Sequence, residues 1–127
     1  CYSCHASYAP LSEISAWSKE LTGNAVTELR ENADLPLNQD SSYGHKYMPP
    51  DFTRNFIKTG GEIERLYDVL NVGVNGTSMP AWKGVLGGDE TESERRQWAL
   101  AYYIHSLYQL KFDDAARKEF FSKLNSR

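Results

Sequence analysis

Both cysteines of the chain fall within its first four positions, in the run C-Y-S-C-H from Cys1 to His5. Two thiols a fixed short step apart can add to the two vinyl groups of one porphyrin. A histidine directly after the second thiol is then held beneath the iron as its proximal base. On this spacing Cys1 and Cys4 would be the thioether anchors of a single covalent haem c, and His5 its first iron ligand.

Other chemistries use parts of this pattern. A thioredoxin-like redox pair needs a strand ahead of C-x-x-C, and no residues stand ahead of Cys1 here. A zinc site needs four ligands, and beyond Cys1, Cys4 and His5 the chain offers only His45 and His105, at spacings unlike a zinc finger. A lipidated N-terminal cysteine would account for Cys1 but not for Cys4-His5.

A haem iron with one histidine has a sixth position to fill. Met79 is the leading candidate, in N-G-T-S-M-P-A-W-K-G. Gly76 permits a tight turn, Pro80 stiffens the backbone after the sulfur, and Trp82 adds an apolar body with a polar N–H suited to a haem edge or a propionate. Met48 precedes Pro49 and Pro50, which could pack beside a haem or place a carbonyl against the His5 ring N–H. His45 and Met48 are the rival ligands. His105 sits in a helical pattern and is expected to be packed rather than ligating.

The elements that must position these residues are helical. Leu11, Ile14, Trp17 and Leu21 form one stripe of a short helix after Pro10, with Gly23 to end it. The 28 residues from Gly23 to Pro50 are long for a loop, and in a haem protein they could wrap one porphyrin edge; Val26–Asn32 could form a turn or two of helix, and Asn38–Gly44 reads as loop. Asp51 or Thr53 could cap a helix to Lys58. Ile63, Leu66, Tyr67 and Leu70 make a clear helical stripe stopped by Gly73. Thr91 to Glu94 is a T-x-x-E capping box ahead of Trp98, Ala101, Tyr102 and His105, with Leu100, Ile104 and Leu107 widening the face. A last helix after Asp113-Asp114 carries Ala116, Phe120, Phe121 and Leu124. It either packs back on its own domain or presents its aromatic pair to a partner.

Taken together, C-x-x-C-H, P-P-D-F-T at Pro49–Thr53, the helix before N-G-T-S-M-P-A-W, and the aromatic helix Ser93–Leu107 resemble the class I c-type cytochromes. The likeness is to monohaem domains of bacterial respiratory and dehydrogenase complexes. It implies an all-α fold, cytochrome c-like helices around one covalent haem, over residues 1–110, with residues 111–127 as a C-terminal helical extension. It further implies thioethers at Cys1 and Cys4, iron ligation by His5 and Met79, and haem contacts from Pro49, Pro50 and Trp82. Such domains place a helix ahead of C-x-x-C-H that crosses the C-terminal helix. Burying aromatic rings stabilises by roughly 2–3 kcal/mol each, so a segment preceding Cys1 is expected to cover Trp98 and Tyr102.

The function implied is one-electron transfer in an extracytoplasmic, periplasmic space, between redox partner proteins or subunits of a membrane-associated oxidoreductase complex. No bond chemistry of its own is expected, so the chain is not expected to be an enzyme. The alternatives are a haem enzyme or gas sensor with an open or His45-ligated iron, and a structural subunit anchored by its tail. Arg54 and Lys58 could pair a propionate, though solvated charges are the plainer expectation. A net charge of −3 and a pI near 5.6 argue against a nucleic-acid partner, and no apolar run approaches the ~20 residues of a membrane span.

Overall fold

Pro10 and Gly23 bracket the first helix as the sequence predicts. In the computed structural model, which describes residues 1–125, α1 spans Leu11–Thr22 and ends on Gly23 in the left-handed conformation. Its apolar stripe, however, is not buried: Trp17 is 56% exposed and no residue of α1 is fully covered. At the far end of the helix Glu20 pairs with Arg96 at 2.6 Å.

The long stretch that follows contains no helical turn at Val26–Asn32. The backbone there is bent back by Arg30, described below. In place of a plain loop it carries a two-stranded antiparallel ladder, β1 (Gln39–Asp40) against β2 (Lys46–Tyr47), with Gln39 opposite Tyr47 and Asp40 opposite Lys46. Ser41 closes the hairpin, its Oγ accepting from the amides of Tyr43 and His45.

The expected helix from Asp51 to Lys58 is a series of turns. The Asp51 Oδ1 accepts from the Thr53 amide at 2.9 Å and the Thr53 hydroxyl at 2.8 Å, while Asn55 Oδ1 takes the Asp51 amide at 2.9 Å. These local side-chain bonds satisfy backbone groups that a helix would have used.

α2 (Ile63–Val72) and α3 (Glu90–Gln109) form the centre of the fold. Leu66 and Leu70 of α2 meet Ala101 and Ile104 of α3, and Phe52, Tyr67, Met79 and Trp82 pack around them. Each buried Leu or Ile contributes roughly 1.5–3 kcal/mol. The cap of α3 stands two residues before Thr91, because Asp89 accepts from the Glu92 amide at 2.8 Å. Its buried line also differs from the aromatic one. Ser93, Gln97, Ala101, Ile104 and Leu107 face inward, while Tyr102 is 58% exposed and Trp98 is half-buried, stacked on Tyr67 at 3.8 Å. The two polar members of that line are satisfied. Gln97 Nε2 donates to Asn71 Oδ1 at 2.6 Å, and Ser93 Oγ accepts from the Leu86 amide at 3.3 Å.

A 3-10 turn over Leu110–Phe112 leads to α4 (Asp114–Asn125), and the Asp113 carboxylate caps it by accepting from the Ala116 amide at 2.9 Å. Phe120 and Phe121 pack against a second cluster of Ala6, Tyr8 and Leu107, so the last helix folds back on its own chain. The described residues are thus mainly helical, with one small sheet. No helix among them is long and apolar enough to cross a membrane.

Candidate functional site

The C-Y-S-C-H run is wound into one tight turn. The amides of Cys4 and His5 both donate to the Cys1 carbonyl, at 3.0 and 2.9 Å. The turn brings the two thiols and the imidazole into one short loop, with both thiols free, Cys1 exposed and Cys4 half-exposed.

His5 is oriented from its Nδ1 side. Nδ1 lies 3.2 Å from the Pro50 carbonyl, which can only accept, so Nδ1 carries the proton and Nε2 keeps its lone pair. The ring stacks on Phe52 with centroids 4.6 Å apart and planes 22° apart. Burial holds the imidazole below the ordinary histidine pKa, with the Pro50 carbonyl acting against it. A neutral imidazole is the form that ligates a metal.

Pro50 is itself fixed by a buried network that sequence reasoning missed. Tyr8 donates to Asp51 Oδ1 at 3.0 Å and accepts from the Phe52 amide at 2.9 Å. Burial first, and the Asp51 charge second, drive the Tyr8 pKa far up. Arg54 adds a bond to Asp51 Oδ2 at 3.1 Å and lies over the Phe121 ring, so it is committed to this network. Lys58 is exposed.

Arg30 was also not legible as a site residue. Its guanidinium donates to the carbonyls of Tyr2 at 3.2 Å, His5 at 3.2 Å, Asn32 at 2.9 Å and Glu31 at 3.3 Å, and to that of Leu35. The Leu37 amide donates to the Cys4 carbonyl at 2.8 Å. The long polar stretch is therefore sewn to the C-Y-S-C-H turn.

Met79 lies elsewhere in the chain, in the turn between α2 and α3. Its amide donates to Thr77 Oγ1 at 3.1 Å, its carbonyl accepts from Val74 at 3.1 Å, and the Trp82 amide donates to the Leu70 carbonyl at 2.7 Å. Gly73, at φ 71° and ψ −165°, sits so close that a Cβ would lie 2.6 Å from the Met79 carbonyl oxygen. Met79 is half-buried on the α2–α3 core, and Phe52 links that core to the His5 ring. By contrast Met48 is 60% exposed, and His45 stands exposed on the hairpin. His105 is packed as expected, with Nδ1 2.7 Å from the Gly61 carbonyl and Nε2 beside Gln109.

Pro49 is buried and Pro50 half-buried, whereas Trp82 brings an unbalanced group. Its Nε1–H is buried and has no hydrogen-bond partner among the described residues. A donor of that kind costs stability unless something accepts from it.

Two free thiols and an oriented imidazole on one turn, a methionine on the core that Phe52 links to that imidazole, and an orphaned buried donor are groups that a covalently attached porphyrin would use. No cluster of three or more His, Cys, Asp or Glu side chains able to hold a bare metal ion occurs among the described residues. Comparison of the chain with protein-family models, with curated proteins and with solved structures gives no match.

Proposed function

We propose that the protein is a one-electron carrier of the class I c-type cytochrome kind. The observation that carries this is the state of His5. Its Nδ1–H is spent on the Pro50 carbonyl and its ring is stacked on Phe52, which leaves Nε2 as the free ligand beside two free thiols.

Cys1 and Cys4 would hold the porphyrin through thioethers, and His5 Nε2 and the Met79 sulfur would ligate its iron. The bound iron supplies the Fe(III)/Fe(II) couple. The chain's own residues do the rest. The Pro50 carbonyl raises the basicity of His5 by accepting from its other nitrogen. Met79, held against apolar side chains, favours the reduced iron and a relatively high potential. Trp82 Nε1–H is a ready donor to a propionate. Met79 is preferred to His45 because it packs on the core, while His45 stands on an exposed hairpin.

On this reading the donors and acceptors are redox proteins or subunits of a larger oxidoreductase complex outside the cytoplasm. Expression alongside a c-type haem maturation system tests it. The full chain is expected to gain the mass of one haem that survives acid-acetone extraction, and Cys1→Ala or Cys4→Ala is expected to lose the double attachment. A full chain recovered folded and without that mass would overturn the proposal.

A further inference from the structure

The Met79 turn is held on two sides that differ in character. Its inner side rests on α2, where Gly73 touches the Met79–Ala81 backbone and the Leu70 carbonyl takes the Trp82 amide. Its outer side is held by the β1–β2 hairpin. The Ser78 amide donates to the Tyr47 hydroxyl, and the Ser78 hydroxyl donates to the Asp40 carbonyl at 3.1 Å. The Tyr43 ring covers Gly76 so closely that a Cβ there would lie 3.1 Å from it. These three contacts fall on residues 76 and 78, and Ser78 is the immediate neighbour of Met79. They link segments more than thirty residues apart, and they leave the hairpin otherwise exposed to solvent.

We infer that the Gln39–Tyr47 hairpin is a strap that sets how firmly Met79 is presented, with Tyr47 as the positioning residue through its bond to the Ser78 amide. This rests on the reading of Met79 as an iron ligand. Among the described residues the hairpin itself makes no hydrogen bond or ring contact with His5 or the thiols, whereas it bonds directly to the neighbour of Met79, so loosening it acts first on the sixth position. A ligand from solution must displace Met79 before it can bind, and its apparent affinity therefore reports the fraction of molecules with Met79 released.

The test uses the haem-loaded full chain, imidazole as the competing ligand and hydrogen exchange at the Ser78 amide. Tyr47→Phe removes only the hydroxyl. Losing one ordinary hydrogen bond corresponds to about a fivefold change in population. Tyr47→Phe is therefore expected to tighten apparent imidazole binding by the ferric protein about fivefold and to speed Ser78 exchange about as much. Ser78→Ala, which removes the bond to the Asp40 carbonyl, is expected to tighten imidazole binding by a similar factor. The inference is overturned if imidazole affinity is unchanged in both variants. Faster Ser78 exchange with unchanged imidazole affinity would make the hairpin merely structural, which also overturns it. If wild-type ferric protein shows no Met79-dependent absorption band, the axial role of Met79 fails instead, and Ser78 exchange still decides whether Tyr47 holds the turn.

Discussion

Replacing Arg30 with methionine is expected to destabilise the fold strongly, although Arg30 stands in a segment without regular structure. The side chain reaches five backbone carbonyls, those of Tyr2, His5, Glu31, Asn32 and Leu35. The bonds to Tyr2 and His5 are partly buried, and the other three face water. Hydrogen bonds from a charged donor contribute about 1.5–3 kcal/mol each when shielded. The two shielded bonds therefore carry about 3–6 kcal/mol, reduced by water that can reach the freed carbonyls, and we expect a loss of about 2–4 kcal/mol. Against a typical total of about 5–15 kcal/mol this is a large share. Methionine keeps the apolar stem, so the loss isolates the guanidinium. Arg30→Lys should recover less than about half of it, since an ammonium cannot reproduce the planar fork. Urea unfolding followed by tryptophan fluorescence reads both variants. An Arg30→Met protein within about 0.5 kcal/mol of wild type would refute the view that this side chain ties the long stretch to the C-Y-S-C-H turn.

Three further outcomes are expected. Gly73→Ala should cost more than Gly84→Ala in urea unfolding. Both glycines have positive φ, but a Cβ at Gly73 meets the Met79 carbonyl oxygen at 2.6 Å and one at Gly84 meets open space. Strain at the Gly73 conformation alone is worth about 1–3 kcal/mol, and equal losses in the two variants would contradict the close approach. Tyr8→Phe should lose about 1–3 kcal/mol by breaking the buried bond to Asp51, and the native protein should keep one tyrosine un-ionised in an alkaline titration until it unfolds. Glu92 is held down to about 2 from 4.5 by its bonds to Arg95 and Arg96. A carboxylate with a lowered folded pKa stabilises above its unfolded value and loses that contribution as pH falls through the folded one. The thermal midpoint gap between wild type and Glu92→Gln should thus be widest at neutral pH and close near pH 2. A gap independent of pH would show that the charge is not what stabilises.

What was legible of the candidate site and of the fold is local. The tight turn at Cys1–His5 and the turn around Met79 and Pro80 are each set by residues a few positions apart. Of the two roles open to Pro49-Pro50, packing or placing a carbonyl against the His5 ring, the second is seen in the Pro50 oxygen 3.2 Å from Nδ1. The helices at Leu11–Thr22 and Ile63–Val72 follow their periodicity and their glycine stops. What escaped was long-range or polar. A lone arginine in a polar stretch has no period, so nothing marked Arg30 as the residue that gathers carbonyls from both sides of the turn. Tyr47 and Ser78 meet across more than thirty residues. On α3 hydrophobicity pointed to Trp98 and Tyr102, while the true inner line includes Ser93 and Gln97, which the core accepts because each finds a partner. Asp51, read as a helix cap, instead gathers its own backbone and Tyr8, and so forms the anchor of Pro50.

The central claim is that His5 and Met79 are the two axial ligands of one covalent haem. Ferric and ferrous absorption spectra of the purified haem-loaded chain, with Met79→Ala beside it, test it most directly. The account predicts a low-spin c-type spectrum whose weak far-red ferric band disappears in Met79→Ala. A high-spin wild-type spectrum, or a low-spin one unchanged by Met79→Ala, would contradict it.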